Sequence, residues 1–325
     1  MRAACRLKHA QAATEGTGVG GDRGHPGLEL ARASADDRPL AALLDAHFDG
    51  RPGLLSEFPL LLDRASRARC RVFRKGDDYV AHASWRPLEL ALEGEWVRAA
   101  GIGLVTTHAA FRDLGLATRL VEACVEDATR EGAELALLFG AARGLYTRLC
   151  FIPAGRERVT RVHTRERGPL CTDLVRAGSA RDAAVLLGLL ETQPLRVTRT
   201  LDEFRRLLAI PDMRVHVLEE EGAVKAYCIE GKGRDLQAVV HEWAGAPADV
   251  ARVLEVAAAS RPGPLHVLSP ADRPPPTTGV HHVGHLAQMR ILRPEAFGTS
   301  DPVRAFGDAS RPGQRSLYVW GLDSI

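Results

Sequence analysis

The run Arg112-Asp113-Leu114-Gly115-Leu116-Ala117-Thr118 follows directly on GIGLVTTHAAF (101–111), which reads as the end of a strand. An arginine, a glycine and small residues where a strand gives way to a helix leave several backbone N–H groups without carbonyl partners. Gly115 is free to take positive φ, so an anion can come close to the main chain. The chemistry this supports is phosphate binding, with the amides as donors and Arg112 adding charge. A glycine turn that merely starts a helix has the same composition. Tyr146, in RGLYTRLCF (143–151), is a second candidate: its hydroxyl can donate a proton to a leaving group, or be satisfied by a neighbour in a packed helix.

Other polar residues compete for attention. His108 stands at the strand end beside the glycine loop, a place where histidines also cap turns. His241, Glu242 and Trp243 interrupt an apolar strand and suit a substrate contact or, as the preferred reading, satisfied structural roles. His281, His282 and His285 follow the stiff segment Pro274–Pro276 without a carboxylate or cysteine at ligand spacing, so no metal site is expected.

The elements that must position these groups follow from periodicity. LELARAS suits a first strand, and Ser34 or Asp36 can cap the helix DDRPLAALLDAHF. An interrupted helical piece, PGLLSEFPLLLDRA, comes next. RCRVFRKGD, DYVAHASWRPLEL and WVRAAGIGLVTTH form an antiparallel meander with turns at Gly76–Asp78 and LEGE. The following helix carries Leu116, Leu120, Cys124 and Ala128 on one stripe, with Gly132 beyond its end. AELALLFG is apolar throughout, as a strand covered on both faces should be. A short helix at RGLYTRL and a strand CFIPAG complete the unit near Arg165. From Cys171 the pattern partly repeats: DLVRAG, two helices, a meander with turns at Gly222 and Gly231, the helix PADVARVLEVAAAS and the strand PLHVLSP.

With 325 residues, 45% hydrophobic and 26% charged, the chain is long enough for two cores. A net charge of +2 argues against a dominant nucleic-acid surface. Cys5, Cys70, Cys124, Cys150, Cys171 and Cys228 are widely spaced with no Cys-x-x-Cys, which points to free thiols in a reducing compartment, the cytoplasm. No run approaches the ~20 apolar residues of a membrane helix, so no membrane partner is expected. Residues 1–26 are glycine-rich and poor in large apolar side chains, and read as a disordered leader.

The order of elements and two motifs resemble the GNAT superfamily of acyl-CoA N-acyltransferases. Arg112, Gly115 and Ala117 match its Arg/Gln-x-x-Gly-x-Gly/Ala signature between strand and helix. Tyr146, Leu149 and Phe151 match a second, Tyr-x-x-Leu-Gly-Phe, with Cys150 in place of the glycine. The resemblance implies an α/β fold of two such units in tandem, the second degenerate. The boundaries expected are a leader to residue 26, a catalytic unit over 27–168, a degenerate one over 169–295 and a tail over 296–325. It implies acetyl-CoA as co-substrate: the amides of Arg112, Asp113, Leu114, Gly115, Leu116, Ala117 and Thr118 on the diphosphate, and the backbone of Leu104, Val105 and Thr106 along the pantetheine arm in the manner of an added strand.

Under that resemblance Tyr146 protonates the departing thiolate, an amine attacks directly in a ternary complex, and a Val105 amide stabilises the oxyanion. The acceptor is a small-molecule or peptide amine, and oligomeric state stays open. Removing the amine proton is the larger problem: a thiol of pKa about 8.5 leaves with a deficit near 2 kcal/mol at pH 7, whereas an amine of pKa about 10.4 needs roughly 4.6 kcal/mol. The base is open between His108, Glu242, the carboxylate of Ile325 and a water chain. No phosphate signature precedes the last helix of the second unit, where HEWAGAPADV stands. Tandem acetyltransferases of the enhanced-intracellular-survival type are similar in pairing an active unit with a degenerate one, and some place the terminal carboxylate in the active site. Over these 325 residues the resemblance is expected to cover the two units only, without their sterol-carrier-like domain. The end, SLYVWGLDSI, is apolar and aromatic. It is expected either to dock on the first unit with Trp320, Asp323 or Ile325 at the acceptor site, or to pack as a stabilising strand. A non-catalytic acyl-CoA sensor is the alternative function.

Overall fold

The computed structural model describes residues 27–48, 53–140, 143–162, 172–233, 236–306 and 314–323; the expected leader lies outside them. The first unit runs β1 (Glu29–Arg32), α1 (Arg38–His47), α2 (Leu54–Glu57), β2 (Cys70–Lys75), β3 (Asp78–Leu92), β4 (Glu95–Thr107), α3 (Leu116–Arg130), β5 (Leu135–Leu138), α4 (Arg143–Arg148) and β6 (Ile152–Val162). The second runs β7 (Val175–Ala177), α5 (Ala183–Glu191), β8 (Leu195–Val197), α6 (Leu201–Leu208), β9 (Arg214–Glu220), β10 (Ala223–Glu230), β11 (Val239–Gly245), α7 (Pro247–Ala259), β12 (Leu265–Pro270) and β13 (Val280–Ile291), followed by α8 (Pro302–Ala305).

All the strands among the described residues belong to one mixed sheet, in the order β1-β2-β3-β4-β5-β13-β6-β12-β11-β10-β9-β7, with β8 laid against β3. The order is symmetric about its centre. Each unit contributes a five-strand half, β1 to β5 on one side and β7 with β9 to β12 on the other, and its final strand crosses to the other unit's fifth. Thus β13 pairs antiparallel with β5 through Gln288–Ile291, while β6 pairs antiparallel with β12 from Glu157 to Val162. The parallel pairs β4/β5 and β11/β12 occupy matching places.

The meander, the apolar strand and the other helices form where periodicity places them, but of the helical piece PGLLSEFPLLLDRA only α2, Leu54–Glu57, is α-helix. Three other elements depart from the pattern. The strand begun by CFIPAG extends to Val162, β8 arises between two helices, and the histidine-bearing segment forms β13. The first six residues of β13 are exposed, so no alternation marks them as strand; its pairing with β6, Val280 opposite Arg161 through Met289 opposite Ile152, supplies the structure instead.

Among the described residues, three large cores and two smaller ones flank the sheet. On one face of the first unit α3 packs Leu116, Leu120, Val121 and Cys124 against Phe73, Trp85, Ile102 and Phe151. In the second, α5 and α6 cover Tyr227, Ile229 and Ala244. The largest core spans the junction, bringing Leu90 and Val97 of the first unit together with Val253, Leu254, Tyr318 and Trp320. No helix among the described residues is long and apolar enough to cross a membrane.

Strand exchange makes the halves interdependent. Residues 27–168 expressed alone leave the edges of β5 and β6 without partners, and are expected to aggregate or melt without a cooperative transition. The full chain is expected to give one calorimetric transition; two separable ones would count against this.

Candidate functional site

A cleft opens where β4 and β5 part. Their pairing covers only Ala99–Gly101 against Leu135–Leu137, and β4 continues to Thr107 paired with β3 on its other edge. Within that stretch the β3/β4 ladder is irregular: His82 faces Thr106 and Ser84 faces Gly103, so β4 carries an extra residue, a bulge, and Leu104 sits at φ 51°. The carbonyl of Leu104 receives the Nδ1 proton of His82 at 2.9 Å.

The glycine loop lies at the end of β4. Asp113 and Gly115 take φ of 64° and 71°, and Gly115 is the N-cap of α3 with no side-chain cap and no acidic residue in the first turn. Among the described residues no carbonyl accepts from the amides of Gly115, Leu116, Ala117 or Thr118; the first bond closing the helix is Arg119 N–H to Gly115 at 3.2 Å. With glycine at the N-cap, forgoing a side-chain cap costs only about a few tenths of a kcal/mol. Four buried side chains on the inner stripe, Leu116, Leu120, Val121 and Val125, offset this several-fold at about 1.5–3 kcal/mol each. Packing therefore holds the helix while its positive end stays bare.

Tyr146 joins the same cluster as Val105, Leu114 and Ala117. It is buried, stands edge-on to Phe151 with centroids 6.4 Å apart, and presses on Gly140, where an added Cβ would lie 2.9 Å from the hydroxyl. Burial pushes the phenol up to about 12, so it holds its proton throughout the neutral range. Cys150 adopts φ 60° in the place of the family's glycine, and the Phe151 and Leu149 amides still close on the Tyr146 carbonyl. The turn survives the departure.

The remaining candidates are engaged elsewhere. His108 is exposed and its Nδ1 accepts from the Ala110 amide, a turn cap. Glu242 is fully buried; Arg199 donates to both its oxygens at 3.0 and 2.5 Å, and the Tyr227 hydroxyl adds 3.0 Å. Burial raises its carboxyl above the usual range against the pull of Arg199. The Trp243 indole donates to the Leu268 carbonyl, and a His241 ring nitrogen meets the Gly231 carbonyl at 3.1 Å. This trio is structural. His281, His282 and His285 lie on the exposed stretch of β13, and no metal-binding cluster occurs among the described residues.

The second unit's cleft is filled. Beyond Val240 and Val267 β11 and β12 part, and the tail enters: Trp320 stacks edge-on to Trp243 at 5.1 Å, and Lys232 donates to the carbonyls of Gly321 and Leu322. Gly321 is required there, since a Cβ would fall 2.3 Å from His241. Asp323, wholly buried, accepts from Arg199 at 2.5 Å and lies 3.5 Å from Arg86 of β3, so the tail touches both units. Ile325 lies outside the described residues. The start of α7 contrasts with that of α3, having proline at its first position and Asp249 in its first turn. Both disfavour an anion.

In AHASWR, His82, Ser84 and Arg86 alternate with Ala81, Ala83 and Trp85, which places three polar residues on one face of β3. His82 and Arg86 are both buried.

Residues 40–153 match the family model described as acetyltransferase (GNAT) domain. No curated protein matches the chain. Among solved structures it is similar in fold to a GCN5-related N-acetyltransferase from Kribbella flavida, at 17% identity and TM-score 0.63 over 84% of this chain and 73% of that one. Eis1 from Mycobacterium abscessus gives 16% identity and TM-score 0.56 over 83% and 74%. N-myristoyltransferase from Saccharomyces cerevisiae, solved with myristoyl-CoA, gives 12% and 0.52 over 75% and 73%. The match lies on the bare helix start and the parted strands, so residues 40–153 carry a GNAT-type acetyltransferase domain.

Proposed function

We propose that the first unit, residues 27–168, moves an acetyl group from acetyl-CoA to a primary amine by direct attack in a ternary complex. The degenerate unit over 169–295 and the tail over 296–325 would shape the acceptor side. The single observation that carries this reading is the uncapped N-terminus of α3, set beside the stretch of β4 that β5 no longer pairs. Those amides and the helix dipole suit a diphosphate, with Arg112 at the turn before them. The free edge of Leu104–Thr106 suits an extended pantetheine arm. Tyr146, kept protonated by burial, is the acid for the thiolate. Free Cys70, Cys124, Cys150 and Cys228 suit a cytoplasmic setting.

Placing a carboxylate in the first turn of α3 separates binding from folding. Thr118→Glu is expected to weaken CoA at least tenfold, about 1.4 kcal/mol, by calorimetry. Its melting temperature should hold or rise, because an acid at that position favours the helix. Absence of heat with wild type at millimolar CoA would remove the enzyme reading.

Tyr146→Phe is expected to lower single-turnover acetylation roughly 10- to 100-fold, in keeping with the small proton deficit of a thiol. Because Tyr146 titrates near 12, its acid form persists as pH rises through 10. Wild-type turnover should therefore climb with amine deprotonation without an alkaline fall below pH 10; unchanged turnover in the variant would reject the role.

A further inference from the structure

His82 is a fully buried histidine in the middle of β3, and it stands against the one irregular stretch of the β3/β4 ladder. A carbonyl only accepts, so the 2.9 Å contact with Leu104 fixes the proton on Nδ1 and leaves Nε2 with a lone pair. That Nε2 has no partner among the described residues, and neither has the buried hydroxyl of Thr106 directly opposite. For packing alone, apolar side chains of similar size at both positions would avoid two orphaned polar atoms.

The bulge supplies a reason. Leu104 carries a branched side chain at φ 51°, a conformation that L-residues hold only when their surroundings impose it. Two contacts impose it here. The Leu104 side chain is wedged among Leu40, Leu44, Leu61 and Cys70, and its carbonyl is tied to the imidazole. Burial pushes His82 down to about 4, so the ring stays neutral and the tautomer stays fixed at working pH.

We propose that His82 is a positioning residue, a strut whose Nδ1–H grips the Leu104 carbonyl and so keeps the next amide, that of Val105, aimed into the cleft where the acyl oxygen gains charge. This rests on the acetyltransferase reading of the same cleft. The ring acts through Leu104 and need not touch substrate.

Three variants of the full chain test it. In His82→Asn the side-chain N–H stands close to where Nδ1–H stood; His82→Gln reaches instead toward Nε2; His82→Leu has neither. His82→Leu is expected to lose kcat roughly 100-fold, the scale of one oxyanion donor, with KM for acetyl-CoA within about threefold. His82→Asn should recover most of that loss and His82→Gln should not. In the ligand-free chain, the strong intraresidue HN–Hα NOE that marks positive φ at Leu104 should appear in wild type and His82→Asn and be lost in His82→Leu. Wild-type kcat in His82→Leu, an unmoved NOE, or rescue by glutamine in place of asparagine would overturn the strut. Should His82→Leu fail to fold, the asparagine and glutamine pair still decides. Should wild type bind no CoA, the acetyltransferase reading falls, and the Leu104 NOE alone judges the strut.

Discussion

The exchange of final strands between the units is the constraint on which the rest depends. A four-residue β5 cannot cover β6, and an apolar strand with a bare edge invites aggregation. Crossing β13 over to β5 and β6 over to β12 removes both edges and makes one continuous sheet. It also determines where strands part. Beyond the short parallel pairs the sheet opens on each side, leaving two clefts in symmetric positions.

Physical chemistry then assigns the clefts different fates. At the first, α3 begins with a left-handed glycine, no cap and no acid, so its positive end faces open space. At the second, α7 begins with proline and Asp249, and the cleft holds aromatic side chains of the protein itself. The charge near the helix start and the presence of the tail act in the same direction. One cleft keeps a bare helix start while the other serves as core.

The tail joins both functions. Asp323, Arg199, Glu242 and Tyr227 form a buried, closely bonded group, with Arg86 of β3 at its border. Charges withdrawn from water are costly unless each is paired, so this group defines where the tail sits more than how stable the chain is. Arg86 lies on the same face of β3 as Ser84 and His82, which places the docked tail beside the strut under β4.

Much of this was legible in the residues. The glycine loop, the amphipathic stripe of α3 and the meander rest on local rules of φ, helix period and alternation, and Tyr146 falls on its short helix as the motif implies. The tail, too, announced its burial by being apolar. What the residues alone left open were relations between segments distant in the chain. Strand β13 has no alternation of its own and forms because β6 offers hydrogen bonds. Trp320 and Asp323 find partners in Trp243 and Arg199 far away in sequence. The bulge at Leu104 exists through a histidine on the neighbouring strand. Local propensity sets the elements, since each depends on a few adjacent dihedrals; pairing, exchange and buried polar contacts depend on which surfaces meet, and only the folded chain decides that.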